Sequence, residues 1–228
     1  MSHPTRLLLI LAVAACSGPR DITVRVTVPD LEGTESPASG VPVVAVPYDR
    51  DSVIAALEAA RPTPRPHTDT LDALFARFRG PFIDHFHAGQ ALAAVRDSVE
   101  RGLANADALA AATRRTEETR AALDTARAAL ATGDSLRADV RTWENSTYAA
   151  FDSVVKALSE RARRKPVVDT TDATGRAELR LPASDNDWWL TARSWDVTDP
   201  NSSWTWSVRV DGDSVELNGR NGRRRPRY

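Results

Sequence analysis

Several residue types are scarce in this chain, and each shortage excludes something. Cys16 is the only cysteine in 228 residues, so no internal disulfide framework can form. Lys156 and Lys165 are the only lysines among thirty basic residues. Arginine supplies the rest and, with the abundant alanine, reflects a GC-rich coding bias, so arginine number alone carries little information. A formal charge of −1 provides no whole-molecule field for attracting nucleic acid, and no nucleic-acid partner is expected. No apolar run reaches the roughly 20 residues of a membrane-spanning helix.

Patterns that carry chemistry are also missing. There is no glycine-rich phosphate loop and no nucleophile elbow. His85 and His87 stand two apart, which on a helix turns them about 200° from each other, so they cannot share an ion. Asp169, Asp172, Asp185 and Asp187 lack the alternating oxygen spacing of a calcium loop and read as turn residues. We therefore expect no catalytic residue, no metal site and no cofactor.

What is present begins at the N-terminus. A short basic start with His3 and Arg6 leads into the apolar run Leu7 to Val13 and then into Val13-Ala14-Ala15-Cys16-Ser17. Small residues before a cleavage point suit the narrow groove of a signal peptidase. This arrangement resembles the lipobox of bacterial lipoproteins. The resemblance implies cleavage before Cys16 and acylation of Cys16 with palmitate-type chains. Each buried methylene contributes about 0.8 kcal/mol, so several chains hold a protein on a membrane persistently. Ser17, in place of an acidic residue, implies by the same resemblance the periplasmic face of the outer membrane of a Gram-negative bacterium.

Downstream, Ile22, Val24, Val26 and Val28 alternate with Thr23, Arg25 and Thr27, the period of a strand with one buried face. Val41 to Val46 reads as a second strand, and Pro42 places it at a sheet margin. From residue 50 the period becomes helical. A short helix over Val53 to Ala60, capped by Asp51 or Ser52, meets a stiff linker at Pro62, Pro64 and Pro66. Leu71, Leu74, Phe75 and Phe78 form one stripe, which Gly80-Pro81 breaks and Phe82, Ile83 and Phe86 resume. Leu92, Val95, Val99, Ala106 and Leu109 run in frame to Leu123 and Leu130, with an expected break near 112–116. Thr132-Gly133-Asp134-Ser135 ends that stretch and starts a helix carrying Leu136, Val140, Trp143, Ala150, Val154 and Leu158. Alanine-rich seams bury little area at ~25 cal/mol per Å². The helices are therefore expected to pack together as a coiled-coil hairpin or a small bundle.

After Pro166 strand alternation returns through Ala177, Leu179 and Leu181, then Trp188, Leu190 and Ala192, then Trp204, Trp206, Val208 and Val210. Asp211-Gly212 predicts a hairpin turn that brings back Val215 and Leu217. Two early strands cannot bury a face unaided and must join the later ones. The expected fold is α+β: signal peptide 1–15, first part of a β-sandwich 16–49, helical insertion 50–165, second part of the sandwich 166–219, and a basic C-terminal tail 220–228.

Gly40-Val41-Pro42-Val43-Val44-Ala45, with Thr170 to Pro182 and then Trp189-Leu190-Thr191-Ala192, resembles the start and finish of the carboxypeptidase regulatory-like, transthyretin-like β-sandwich. The resemblance implies an Ig-like antiparallel sandwich that serves as a noncatalytic accessory module, with no active-site residues to transfer.

Five of the six tryptophans lie between 188 and 206. Alternation puts Trp189, Thr191, Arg193 and Trp195 on the face opposite Trp188. Trp189, Arg193 and Trp195 are thus the candidate ligand-binding ridge, for a sugar or a partner's aromatic group, unless the inserted helices cover that face, which is the expected outcome. The five arginines between Arg220 and Tyr228 read as a solvated terminus or a contact to anionic envelope material. The function expected is a noncatalytic, membrane-anchored binding or scaffolding module with an envelope protein or glycan as partner. The alternatives are a lipoprotein enzyme acting on envelope polysaccharide or peptidoglycan, and an efflux-adaptor-like periplasmic component. Replacement of Cys16 by Ala is expected to abolish incorporation of labelled palmitate and to leave the protein uncleaved or soluble. Fractionation of the variant with membranes as a mature, labelled species would refute the anchor.

Overall fold

Alternation in the first strand is realised as β1 (Arg20–Pro29), in which Ile22, Val24, Val26 and Val28 are buried. A computed structural model describes residues 18–182 and 187–228; Cys16 and Asp185 lie outside them. β1 is the hub of one sheet. It pairs antiparallel with β2 (Glu35–Pro37) and with β5 (Arg176–Leu181), and parallel with β8 (Ser214–Leu217). The N–H of Val26 donates to the Gly175 carbonyl, and the Val26 carbonyl accepts from the N–H of Ala38. One edge of β1 therefore serves β5 and then β2, and the other edge serves β8. Gly175 has a φ of 75°, and a Cβ there would stand 2.5 Å from the Val26 carbonyl oxygen, so this junction requires glycine.

The second sheet is antiparallel throughout, in the order β4 (Val167–Thr170), β3 (Pro42–Val46), β6 (Trp189–Trp195), β7 (Ser202–Arg209), β9 (Arg223–Pro226). Val43, Ala45, Leu190, Ala192 and Trp206 from this sheet meet Ile22, Val24, Leu179 and Leu217 from the first in one buried core. The protein is thus α+β, with strands from both ends of the chain in a single sandwich and a helical block between them.

Five helices interrupt the sandwich: α1 (Arg50–Ala59), α2 (Asp69–Glu100), α3 (Ala106–Ala131), α4 (Asp134–Thr147) and α5 (Phe151–Ala162). Val167, at the start of β4, is paired with Ala45 of β3, so the whole helical block takes the place of a hairpin loop between two neighbouring strands. α2 and α3 form a long antiparallel pair with a turn at Gly102, where φ is 71°. At 1.5 Å per residue the 32 residues of α2 extend roughly 48 Å. Near the sandwich the pair is thickened by a second core of Leu71, Phe75, Phe78, Leu123, Leu130 and Val140.

Several local expectations are corrected. β3 is an inner strand, because Pro42 stands at its first position, where the missing N–H costs little. Pro81 lies inside α2, which is continuous; stacked Phe78 and Phe82, 5.9 Å apart, carry the helix past the proline. The expected break near 112–116 is absent, and Thr113 and Thr116 donate to carbonyls four residues back. The seam instead breaks at residues 101–105. Asp49, in place of Asp51 or Ser52, caps α1, its carboxylate accepting from the Asp51 N–H at 3.0 Å. After Asp211-Gly212 the chain does not return along β7; it crosses to the other sheet and fills the free edge of β1 as β8. The segment 220–228, read as a basic tail, contains edge strand β9.

Within that strand, Arg224 bonds to Asp196 and, at 2.8 Å, to Asp199. Both carboxylates lie in the β6–β7 loop with side chains 2% and 4% exposed. Burial works to raise the Asp196 carboxyl, but bonds from Thr198 and Arg224 outweigh it and hold the group below its ordinary range. The folded state therefore gains stability from ionised Asp196 above the unfolded carboxylate value of about 4, and loses it as pH falls below that value through the depressed one. Arg224→Ala leaves two buried carboxylates unpaired and is expected to cost about 3 kcal/mol by urea unfolding at pH 7. The deficit should shrink as the pH is lowered towards 3.

Candidate functional site: an arginine-lined cleft

The outward face of the second sheet is built by strand alternation. Arg193 stands opposite Thr205, and Thr205 opposite Arg223; Trp195 stands opposite Ser203, and Ser203 opposite Arg225. Paired residues share a face, so Arg193, Arg223 and Arg225 all project from the side away from the core. The helical block folds back onto this side. The capping carboxylate of Asp49 also accepts from the Ser207 hydroxyl at 2.9 Å, which ties the start of α1 to β7. Burial works to raise that carboxyl, but the Ser52 and Ser207 bonds prevail and hold it low.

At the other end of the site, Tyr228 packs 5.8 Å from Phe75, donates to Asp72 at 2.5 Å, and lies beneath the Arg65 guanidinium. Burial, then the Asp72 bond, pushes the Tyr228 phenol up to about 12. The last residue of the chain thereby staples the sandwich to the helices.

A cleft of about 720 Å³ opens between these elements. Three of its carboxylates are engaged: Asp51 with Arg223 at 3.3 Å, Glu144 with Arg65 at 2.7 Å, and Glu58 as acceptor of the Tyr148 hydroxyl at 2.5 Å; the fourth, Asp152, is exposed. Four of its cations form no ion pair among the described residues: Arg227, which lies over the Trp195 ring, and the three arginines Arg50, Arg193 and Arg225. Arg50 is half-buried with its guanidinium 5.9 Å from the Phe151 ring centre. Burial and then the Arg225 charge push Arg50 below the ordinary arginine value; Asp51 opposes this and Arg193 adds to it. Arginine stays protonated regardless, so its charge is held partly buried and beside two like charges. An anion placed among the three guanidiniums would offset those charges, and planar guanidinium forks suit phosphate or carboxylate oxygens.

Of the three sequence candidates, the structure brings Arg193 into this cleft. Trp195 lies at its outer rim, 61% exposed, with the Arg227 guanidinium 3.8 Å from its ring centre. Trp189 is half-buried opposite Val46 and Arg209 and does not line the cleft. Full coverage of the ridge by the helices, the expected outcome, is therefore not what occurs. The helical block bridges over β7 and β9 and leaves the Trp195 end open. Arg50, Arg223 and Arg225 were missed as site residues. The basic run at 220–227 was the available signal, but only its pairing with β7 shows which arginines point outward.

Trp195→Ala is expected to lower the melting temperature by no more than a couple of degrees, since an exposed ring contributes little burial. Trp206→Ala, which removes a ring 1% exposed, is expected to cost about 3–5 kcal/mol. Acrylamide quenching should fall markedly in the first variant and little in the second.

Comparison with protein-family models, with curated proteins and with solved structures finds no match to this chain, so the reading of the cleft stands on its own geometry.

Proposed function

We propose that this protein is a lipid-anchored, noncatalytic binding module of a bacterial envelope, and that its cleft holds an anionic group of an envelope ligand. In this reading Cys16 supplies the membrane attachment on the periplasmic face of the outer membrane. The Ig-like, transthyretin-like sandwich is the rigid platform, and the helical block is the second wall of the site. The observation that carries the proposal is the convergence of Arg50, Arg193 and Arg225 without ion-pair partners among the described residues, in a cleft where Arg65 and Arg223 are neutralised. Trp195 and Arg227 at the rim offer a flat surface on which a sugar ring can stack.

The test is thermal protection and calorimetric titration with inorganic pyrophosphate and with oligogalacturonate, as phosphate- and carboxylate-bearing probes. A ligand at one hundred times its dissociation constant stabilises by about 2.7 kcal/mol. Arg50→Ala and Arg225→Ala are each expected to weaken binding about tenfold or more, and binding should fall with salt. Absence of protection by either probe, or affinity unchanged in the double variant, would remove the proposal.

A further inference from the structure

Both lysines of the chain, Lys156 and Lys165, lie on one small groove. The groove, about 570 Å³, is formed by Tyr48, Val155, Lys156, Arg163, Lys165 and Pro166 at the junction of α5 with β4. Its surface is almost entirely carbon although half of these residues are charged. The cationic side chains thus lend their stems to the wall and carry their charges to the rim, the arrangement by which lysine and arginine meet an apolar phase with the head in water. Lys156, Arg163 and Lys165 are exposed and form no ion pair among the described residues. With Arg164 they set four cations against two carboxylates, Asp152 and Glu160. α5 buries no residue fully: Val154, Val155 and Leu158 are half-buried, and the helix packs beside α1. An amphipathic helix with a basic end has the character of an interfacial helix.

The position of this groove is informative. Arg164 stacks 5.5 Å from the Trp188 ring centre and donates to the Asp187 carbonyl. The Trp188 carbonyl accepts from the Val210 N–H at 2.8 Å, and three residues on, Asp213 pairs with Arg20 at 2.5 Å. The groove and the start of β1 therefore share one end of the sandwich. Cys16 is four residues before Arg20, so even a fully extended chain places it within about 14 Å of that end.

We infer that this end of the protein, the carbon-walled groove with Lys156, Arg163 and Lys165 at its rim beside α5, is a docking face for an anionic phospholipid bilayer. The inference rests on the proposed anchor for its orientation, while its chemistry is independent of the anchor. Headgroup phosphates meet the rim cations, and the groove sits against the upper acyl region.

The experiment is flotation of the unacylated chain starting at residue 17, which retains both hydrophobic cores, with vesicles of phosphatidylcholine alone or with 30% phosphatidylglycerol. We expect binding only to the anionic vesicles. It should weaken about tenfold or more in Lys156→Glu/Arg163→Glu/Lys165→Glu, and likewise, though less, in the corresponding glutamine variant, with melting temperatures unchanged. Arg50→Ala/Arg225→Ala should bind as wild type. Lack of binding to anionic vesicles, equal binding by the charge-reversed chain, or loss of binding only in the cleft variant would each overturn the inference. Palmitate labelling of the full chain in bacteria separates the two ideas. Labelled Cys16 with groove-independent vesicle binding refutes the docking face alone, whereas unlabelled Cys16 with groove-dependent binding refutes the anchor alone.

Discussion

The constraint on which everything else depends is the pairing of β1 with strands that lie roughly 155 to 190 residues downstream. Ile22 meets Leu179 across one edge, and Val24 meets Val215 across the other. The early strands, β1 and β2 in one sheet and β3 in the other, cannot bury a face without the later ones. The long closure this demands is tolerable because loop entropy rises only logarithmically with length. Since β3 and β4 are antiparallel neighbours, the inserted helices must leave and return at adjacent points. A hairpin loop can grow into five helices there without disturbing any strand pair.

That placement generates the cleft. The helical block is too thin in its outer half to form a wide core, because Ala88 and Leu92 of α2 are the only buried apolar residues there. Its base is held against the sandwich by polar ties: Asp49 to Ser207, Asp51 to Arg223, Arg79 to Thr198, and Tyr228 to Asp72. Polar ties leave room between the layers where apolar packing would close it. Three arginines from α1, β6 and β9 then face a water-accessible space without an ion pair among the described residues.

Charge is divided by position. Among the arginines of the second sheet, Arg224 neutralises buried acids, Arg209 pairs with exposed Asp187, and Arg193 and Arg225 face the cleft. The opposite role, a charge held over apolar surface, falls to the groove where both lysines lie. Lysine's compact ammonium on a flexible stem and arginine's rigid fork are not interchangeable for these tasks.

The local elements were legible from periodicity alone. The alternation of 22–28 and 204–210, the helical stripes, and the need for early and late strands to combine follow from side-chain spacing and from the cost of an uncovered face. The candidate site was legible only in part: alternation placed Arg193 and Trp195 together on the outward face, but said nothing of what lay across from them. Which edge receives β8, that 223–226 is a strand, and that Arg50 and Arg225 converge on Arg193 are all pairings between segments distant in sequence. Short polar or arginine-rich runs have no period of their own that selects a partner. Tertiary structure decided them, because a free strand edge and an unneutralised charge acquire meaning only when the neighbouring strand or helix is in place.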